Sequence, residues 1–503
     1  MRPLELLSVI TGVTYLLWLS FGTGIPGSPF QWLAFVAAGV AVCQIKFEGY
    51  RWHMIPGYLF TAGLLLLYPW CQAQDFRLRL TDIAILWLVT AVLIGACGIL
   101  AGILYPVFTF VPLTGKYHVG TFAAHLVDVE RTEPYAPCGT PPRELMVQAW
   151  YPAEKLPRSS RARYGDGVTA SWRTSNLGLV KTRSFANAPV LRSGGKLPVL
   201  LFTGPDNRFQ NTFETEELAS HGYLVIALDH PYSSSWMKLP NGQIIRRRKE
   251  NVFLDFQSDE TLSTSTVEVT ADLEVRVADV NFLIAQLEKW ERGIHPSPLA
   301  GSIDVSRIGI FGHSFGGAVA AEACLRSTAL QAGINMDGWL FGQASAVGVP
   351  KPFFFMLDCT PRPSNAVLDT LHGENRRTAQ RTIEGFVEVE GSLNRWGGYL
   401  AQAPGLEHMN FSDSPLYSRL SARTGAGAID FRRAHSLINR LTLAFFDVYL
   451  RNASECELDR AAASFPEAVF RRFDRSGSVA YAGKHESREA GQTSAPVSGH
   501  LGF

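Results

Sequence analysis

The sequence predicts an α/β protein, in which a mostly parallel sheet is covered by helices on both faces and preceded by an apolar membrane domain. Two observations lead to this fold class. From about residue 112, short apolar runs alternate with helical stretches, which is the pattern of a parallel sheet with helical crossovers. Before residue 110, four long apolar runs follow one another almost without charged side chains. A chain of 503 residues is long enough for both units.

The four apolar runs cover roughly residues 6–22, 31–45, 54–70 and 82–105. The last is long enough to cross a bilayer, and the second and third are near the lower length limit. Aromatic side chains stand at the ends of the runs, as in an interfacial belt: Trp32, Trp52, Tyr58, Tyr68, Trp70 and Tyr105. A cleaved signal peptide explains the first run but not the next three. We therefore expect residues 1–110 to form about four transmembrane helices, which makes the chain an integral protein of the cell membrane with the bilayer as a partner.

The charges of the loops favour one orientation of these helices. With the N-terminus inside, four basic residues (Arg2, Lys46, Arg51 and Lys116) face the cytoplasm, against two in the loop at 71–81. The positive-inside rule then predicts that the following domain is cytoplasmic.

Residues 111–455 are predicted to form the catalytic α/β domain, and residues 456–503 a C-terminal tail that is partly disordered. Strands are expected at 121–128, 144–152, 197–203, 223–229, 332–336, 352–357 and 383–390, and helices at 209–221, 268–292 and 433–451. Residues 154–195 are rich in Ser, Arg, Gly and Asn and predict a loop or a cap.

A short motif around Ser314 indicates the chemistry of this domain. Gly312, Ser314 and Gly316 form G-x-S-x-G, directly after a buried-strand pattern and before a helix of small residues. This is the nucleophile elbow of the α/β-hydrolase fold, in which a strained turn exposes the serine oxygen above the sheet. We predict Ser314 as the nucleophile and the backbone N–H of Phe315 as one donor of an oxyanion hole.

A serine nucleophile needs a histidine base and an acid, in the chain order Ser, acid, His. Asp337 lies 23 residues after Ser314, at the end of a strand pattern, and is the preferred acid. Asp358 follows the next strand and is its rival, whereas Asp413 comes after the best histidine and breaks the order.

The preferred base is His408, which lies on a loop before the final helix. Four other histidines fit less well: His372 is close to the acid, His435 is on a helix, His230 follows a strand ahead of the serine, and His313, within the elbow, is expected to pack against the sheet. The second oxyanion donor is expected in the loop after residue 203. Since Pro205 has no N–H, Asp206 is preferred there and Asn207 is next.

The composition argues against several other functions. The net charge is +1 and the basic residues are dispersed, so no nucleic-acid partner is expected. The cluster Arg246-Arg247-Arg248-Lys249 is followed by Glu250 and is interpreted as a solvated loop. The seven cysteines have no zinc-ligand spacing, and no histidine–carboxylate cluster has the spacing of metal ligands, so neither a metal nor a cofactor is expected.

Several stretches in the right order resemble the platelet-activating factor acetylhydrolase family of α/β-hydrolases and bacterial dienelactone-hydrolase-like relatives with N-terminal transmembrane helices. They are Thr114-Gly-Lys-Tyr-His-Val-Gly, Trp150-Tyr-Pro, Leu218-Ala-Ser-His-Gly-Tyr, Gly312-His-Ser-Phe-Gly-Gly, Met336-Asp-Gly-Trp-Leu-Phe and His408-Met-Asn-Phe-Ser-Asp. The resemblance implies Ser314, Asp337 and His408 as the triad. It also implies calcium-independent hydrolysis of short or oxidised acyl esters, in this family the sn-2 chain of phospholipids. Two departures are Thr203-Gly204-Pro205 at the oxyanion loop and an apparent insertion at about 392–405.

The sequence therefore favours a membrane-anchored serine esterase that acts on a lipid or a small ester. An alternative is a lipid-binding membrane sensor without turnover, for which Pro205 is the only support. A transporter with an accessory domain is disfavoured, because the apolar runs contain almost no ionisable residue apart from Glu5.

Overall fold

The computed structural model describes residues 2–21, 32–72, 82–154, 160–167, 176–248, 254–420, 424–474 and 479–482. The chain divides into two compact units. The first, the N-terminal unit, consists of Met1–Thr109 with Arg163–Thr182 and Pro415–Thr424. The second, which we call the hydrolase unit after the fold that the sequence predicts for it, consists of Phe110–Ala162, Arg183–Ser414 and Gly425–Phe503. Two segments that we assigned to the catalytic domain from sequence therefore belong to the N-terminal unit.

Helices account for the four apolar runs of the N-terminal unit: α1 (Pro3–Phe21), α2 (Leu33–Cys43), α3 (Ile55–Gln72) and α4 (Asp82–Leu104). Small and aromatic side chains pack between them, with Tyr15, Ala34, Phe60 and Leu64 buried in one cluster. A buried ion pair joins Glu5 on α1 to Arg51, whose Nη1 lies 2.7 Å from the carboxylate.

Among the residues that the structure describes, no helix is both long and apolar enough to cross a bilayer. The prediction of about four transmembrane helices, and with it that of an integral membrane protein, is therefore not supported. The second run illustrates the reason: α2 has 11 residues, about 16 Å at 1.5 Å per residue against a hydrocarbon core of about 30 Å. The orientation argument from loop charges loses its basis at the same time.

In the part of the chain that the structure describes, the hydrolase unit is organised around a sheet of twelve strands in the order β14-β13-β12-β11-β10-β9-β5-β6-β2-β1-β4-β3. The strands on the first half of the chain are β1 (His118–Thr132), β2 (Pro142–Ala153), β3 (Arg161–Arg163), β4 (Lys181–Ala186), β5 (Leu197–Thr203) and β6 (Leu224–Asp229). A separate hairpin pairs β7 (Trp236–Lys238) with β8 (Ile244–Arg246). The later strands are β9 (Ile303–His313), β10 (Leu330–Met336), β11 (Phe353–Met356), β12 (Gly398–Gln402), β13 (Val469–Phe473) and β14 (Val479–Ala482).

The centre of the sheet is parallel, from β6 through β5, β9, β10 and β11 to β12. Strand β5 is buried along its whole length, as expected for a strand covered on both faces. The carboxyl ends of parallel strands lie at one edge of the sheet, and this edge is where ligands bind in open α/β folds. The residues that directly follow Thr203, His313, Met336 and Met356 therefore share that edge.

Eight further helices cover this sheet: α5 (Thr212–Ser220), α6 (Asp259–Glu291), α7 (Phe315–Arg326), α8 (Gly342–Val347), α9 (Asn365–Thr370), α10 (Gly373–Trp396), α11 (Phe431–Arg451) and α12 (Cys456–Ala463); the count refers to the described residues. The strand predicted at 383–390 is wrong, because these residues lie within α10. Its buried side chains Thr382, Phe386, Val389 and Leu393 recur every three or four residues, which is the period of a helix.

The predicted C-terminal tail contributes to the fold up to the last described residues. Helix α12 is followed by β13, which pairs antiparallel with β12 over five residues, and by β14, which pairs with β13. Residues 483–503, where we also expected disorder, lie outside the described part. The sheet of the hydrolase unit therefore continues beyond residue 455, where the sequence predicted the end of the α/β domain.

Candidate active site

The backbone at Ser314 has the strained geometry of a nucleophile elbow. Its φ is 55° and its ψ is −128°, a region that costs a non-glycine residue about 1–3 kcal/mol. The flanking glycines make the turn possible. A Cβ on Gly312 would lie 2.1 Å from the carbonyl oxygen of Gly316, and a Cβ on Gly316 would lie 2.1 Å from that of Thr203. The turn is held by the Ser314 N–H, which donates to the Met336 carbonyl at 2.8 Å.

The Ser314 hydroxyl is buried and has no hydrogen-bond partner among the described residues. An unpaired buried hydroxyl is unfavourable by about 1–3 kcal/mol, so this group is not placed there for stability. It stands at the N-terminus of α7, directly before Phe315. The first N–H groups of a helix have no partner within the helix, so the Phe315 N–H is suited to bind a developing oxyanion.

The structure brings Asp337 and His408 together from loops after different strands. Asp337 Oδ2 lies 2.6 Å from His408 Nδ1. The acid is held in place by its own backbone, which has a φ of 56° and donates its N–H to the Met356 carbonyl at 2.7 Å. Its second oxygen, Oδ1, accepts the N–H of Asp358 at 2.8 Å. Both carboxylate oxygens are therefore oriented, and Oδ2 fixes the Nδ1–H tautomer of His408.

The electrostatic surroundings favour the protonated form of His408. Burial alone lowers the pKa of this imidazole, but the hydrogen bond and charge of Asp337, together with the charge of Asp358, outweigh it and raise the pKa. A carboxylate that stabilises the imidazolium in this way is what a general base needs during acyl transfer.

The rival acid Asp358 has different partners. Its two oxygens accept the N–H and the hydroxyl of Thr360 at 2.9 and 2.7 Å. Burial, followed by the adjacent charge of Asp337, raises its pKa to about 6. Asp358 thus lies next to the Asp337–His408 pair and acts on it through charge.

Two of the other candidates from the sequence have structural partners, and a third stands at a helix end. Asp413 accepts the N–H groups of Thr212 and Phe213 at 2.9 and 3.1 Å and so caps α5. His435 bonds the Ser412 carbonyl at 3.0 Å, and His372 stands at the N-cap position of α10. Two remain near the site, His230 and His313.

His230 forms a hydrogen bond with Thr203, the last residue of strand β5. Its Nε2 lies 2.9 Å from the Thr203 hydroxyl and its Nδ1 lies 2.8 Å from Asp279 Oδ2. Asp279 is also bonded by Arg143 at 2.6 Å. This buried network holds the strand from which the oxyanion loop starts.

The oxyanion loop itself is fixed by interactions that the sequence did not reveal. The N–H of Asp206 donates to Gln210 Oε1 at 2.9 Å, so an oxyanion can use this N–H only if the Gln210 amide moves. The side-chain amide of Asn207, the next candidate, donates to the Trp236 carbonyl, a bond that does not involve its backbone N–H. Asp206 and Phe315 therefore both stay predictions as oxyanion donors.

Two arginines, Arg276 and Arg247, bond this loop, and Arg248 shares the carboxylate of Asp272 with Arg276. The sequence did not reveal these roles. Arg276 donates to the Gly204 carbonyl at 3.1 Å, and its guanidinium carbon lies 4.7 Å from the ring centre of Phe315. Arg247 donates to the Pro205 carbonyl at 2.9 Å. Arg248 lies 3.8 Å from the ring centre of Tyr135.

The interpretation of 246–249 as a solvated loop is therefore wrong for Arg247 and Arg248, whose side chains are only 28% and 18% exposed. One signal in the sequence indicated that these arginines have buried partners. Asp272, Arg276 and Asp279 lie on one face of α6 at helical spacing, and all three are buried. Charged residues are rarely buried without partners.

Comparison with known proteins places this geometry in context. The family model described as platelet-activating factor acetylhydrolase, isoform II, matches residues 167–460, more than half of the chain. The platelet-activating factor acetylhydrolase of Cavia porcellus is 27% identical over 303 residues, which cover 54% of this chain and 62% of that protein. A probable 1-alkyl-2-acetylglycerophosphocholine esterase of Arthroderma benhamiae is 27% identical over 291 residues, which cover 54% of this chain and 66% of that protein.

Among solved structures, the ferulic acid esterase from Streptomyces cinnamoneus is similar, with a TM-score of 0.57 and 25% identity. The superposition covers 73% of this chain and 99% of that one. The fold of the hydrolase unit is therefore that of an esterase with known structure, whereas the chain spans just under two thirds of the length of the two acetylhydrolase relatives.

Proposed function

Because this chain belongs to the platelet-activating factor acetylhydrolase isoform II family, we propose that it is a serine esterase that hydrolyses carboxylic esters through an acyl-enzyme. The observation that carries the proposal is the 2.6 Å bond between Asp337 and His408, in a unit that also holds Ser314 on a strained turn with an unpaired hydroxyl. The strained turn and the unpaired hydroxyl are both unfavourable for stability, and acyl transfer needs them together with the Asp337–His408 pair.

The proposed reaction has two halves. In the first, Ser314 Oγ attacks the ester carbonyl carbon while His408 Nε2 takes its proton, and Asp337 stabilises the resulting imidazolium. The carbonyl oxygen becomes an oxyanion that accepts the N–H of Phe315. The intermediate then releases the alcohol, which receives the proton from His408. In the second half, water attacks the acyl-enzyme, His408 takes its proton, and the acid is released as Ser314 regains its hydrogen.

We propose short-chain or oxidised acyl esters of lipids as the substrates. The names of the two acetylhydrolase relatives support this, since both refer to an acetyl ester of a glycerophospholipid. The ferulic acid esterase supports ester hydrolysis on this fold, but with an aromatic acyl group. The alternative of a lipid-binding sensor without turnover has weaker support, because it gives no role to the strain at Ser314.

Labelling with a fluorophosphonate probe tests the proposal, because the probe reacts only with an activated serine. We expect the wild-type chain to be labelled and Ser314→Ala to be unlabelled, with a fall in kcat of about 10⁶-fold on an acetyl ester. Ser345→Ala, on α8, is a matched control and should be labelled like the wild type. Lipid binding by an unlabelled wild-type chain would instead support the sensor. Parallel assays with 1-alkyl-2-acetylglycerophosphocholine and a feruloyl ester decide the acyl class.

A further inference from the structure

A continuous chain of hydrogen bonds connects the oxyanion loop to the loop of His408. The N–H of Asp206 donates to Gln210 Oε1 at 2.9 Å. Gln210 Nε2 lies 3.1 Å from His313 Nδ1. His313 Nε2 lies 2.9 Å from the carbonyl oxygen of His408. Two side chains thus link three segments that carry proposed catalytic groups.

The direction of every bond in this chain is determined by its two ends. A backbone N–H can only donate and a backbone carbonyl can only accept. Gln210 therefore uses its oxygen toward Asp206 and its NH₂ group toward His313. The Nδ1 of His313 must then be the acceptor, so its hydrogen is on Nε2, where it is donated to the His408 carbonyl. The network has one consistent assignment, with His313 as the neutral Nε2–H tautomer.

We propose that Gln210 and His313 are positioning residues, which hold the backbone of His408 in place while Asp337 holds its ring. The consequence for catalysis rests on the proposed function, because it matters only if His408 is the base. His408 is then fixed at two separate atoms, the carbonyl oxygen through His313 and Nδ1 through Asp337. A base fixed at both points keeps its Nε2 directed at one place.

The burial of the two residues supports a positioning role. Gln210 is 8% exposed and His313 is 1% exposed. Burial, with a smaller contribution from His408, lowers the pKa of His313 well below its usual range, so the ring stays neutral as the network requires. The ring centres of His313 and His408 are 4.7 Å apart.

The backbone of Gln210 adds a second connection to the same loop. Its carbonyl accepts the N–H of Asp413 at 2.7 Å, five residues after His408. Since Asp413 caps α5 directly after Gln210, the segment at 206–213 and the segment at 408–413 are held together at several points. The Gln210 side chain is the one that reaches the elbow.

The test replaces Gln210 by methionine, which has a similar shape but neither donates nor accepts strongly. We expect kcat on a short acetyl ester to fall about 10- to 100-fold, with KM within twofold, because misplacement of a base by about 1 Å has an effect of this order. Gln286→Met is a matched control: Gln286 is also buried and bonded to a histidine, His295, at 2.9 Å. It should keep the wild-type kcat.

Variants of the histidine separate positioning from simple packing. His313→Leu should show the same loss in kcat. His313→Gln keeps an acceptor and a donor, so its kcat should be at least tenfold higher than that of His313→Leu. If Gln210→Met and His313→Leu keep the wild-type kcat, or if Gln286→Met loses as much, the positioning role is refuted.

A measurement that does not use activity keeps this proposal separate from the proposed function. NMR of the chain labelled with ¹⁵N-histidine should show His313 as the Nε2–H tautomer, and Gln210→Met should populate the Nδ1–H tautomer. If the wild-type chain is inactive but Gln210→Met shifts the His313 tautomer, the proposed esterase function is refuted and the proposed hydrogen-bond network is supported. An active wild-type chain with His313 as Nδ1–H would refute the network alone.

Discussion

At the scale of single residues, two carboxylates follow neighbouring parallel strands, and only one of them bonds the imidazole. Asp337 bonds His408 at 2.6 Å, whereas both carboxylate oxygens of Asp358 accept hydrogen bonds from Thr360. Asp337→Asn should therefore lower kcat about 10⁴-fold, because an amide cannot stabilise the imidazolium or its tautomer. Asp358→Asn should lower kcat less than tenfold. Steady-state kinetics of both purified variants check this, and the opposite order would assign Asp358 as the acid.

Asp358 should nevertheless change the dependence of activity on pH. Its negative charge helps to raise the pKa of His408, and the base works only when it is neutral. The acid limb of kcat/KM should therefore have its midpoint above the usual histidine value of about 6.5. In Asp358→Asn the imidazolium loses a stabilising charge, so the midpoint should move to lower pH. Asp369→Asn, at an exposed position on α9, is the control. A midpoint unchanged by Asp358→Asn contradicts the electrostatic role.

The identity of the proposed triad could be predicted from the sequence because each member follows a strand in a known order. Ser314, Asp337 and His408 were selected by the G-x-S-x-G spacing and by chain order alone. Gln210 and Arg276 could not be selected in this way. Their roles depend on which backbone and side-chain groups the folded chain brings within 3.1 Å of them, and no local pattern encodes that.

At the scale of elements, the buried charges between β2 and α6 are a structural support for the site. Arg143 bonds both oxygens of Asp279 at 2.6 Å, and Asp279 also bonds His230. Burial raises the pKa of Asp279, but Arg143 and His230 outweigh it and hold the pKa below its usual value. The carboxylate therefore stabilises the fold at pH above its unfolded pKa of about 3.9, and this contribution is lost as the pH falls through the lower folded value.

Asp279→Asn should destabilise the hydrolase unit by about 3–5 kcal/mol at pH 7, because it breaks the buried ion pair with Arg143, which then keeps only Glu133 as a charged partner. Asp304→Asn is the control, since Asp304 pairs with Arg307 at 2.7 Å in a partly exposed position and should matter by at most about 1 kcal/mol. Chemical denaturation at pH 7 and pH 4 measures both. Equal shifts for the two variants would show that the buried network adds nothing specific.

Element prediction succeeded where burial is uniform and failed where a short window fitted two periods. The run Leu197–Thr203 is apolar except for Thr203 at its end, and the structure has strand β5 at these residues. The strand predicted at 383–390 rests on a short window, whereas the wider window from Thr382 to Leu393 has helical spacing. The longer window decides between periods 2 and 3.6.

At the scale of the whole molecule, the division into units is the part that sequence composition predicted least well. The apolar composition of residues 1–110 predicted a separate unit, and its helices do cluster together. The segments Arg163–Thr182 and Pro415–Thr424 join that unit from distant positions in the chain. Their assignment depends on tertiary packing, for which a composition shift is no guide.

Strands β13 and β14 extend the sheet at its C-terminal edge, and we expect the fold to depend on them. Phe470 on β13 is buried, and its ring centre lies 5.9 Å from that of Phe354 and 5.8 Å from that of Tyr399. A chain that ends after Asn452 would expose these rings and the hydrogen-bonding edge of β12. Unpaired edges of this kind promote aggregation, so we expect this chain to be insoluble or inactive.

A second variant keeps that prediction testable if the short chain does not fold. Phe470→Ala should lower stability by about 3–5 kcal/mol, as expected for removal of a buried aromatic ring from a core, while the acetyl-ester kcat of the folded fraction stays near that of the wild type. A chain that ends after Ala482 keeps all twelve strands and serves as the control for truncation. The stability and solubility of these three proteins, the two shortened chains and Phe470→Ala, are measured by thermal unfolding and by the soluble fraction. A chain ending at Asn452 with the stability of this control would show that β13 and β14 are dispensable, and that the catalytic unit is complete at the boundary which the sequence predicted.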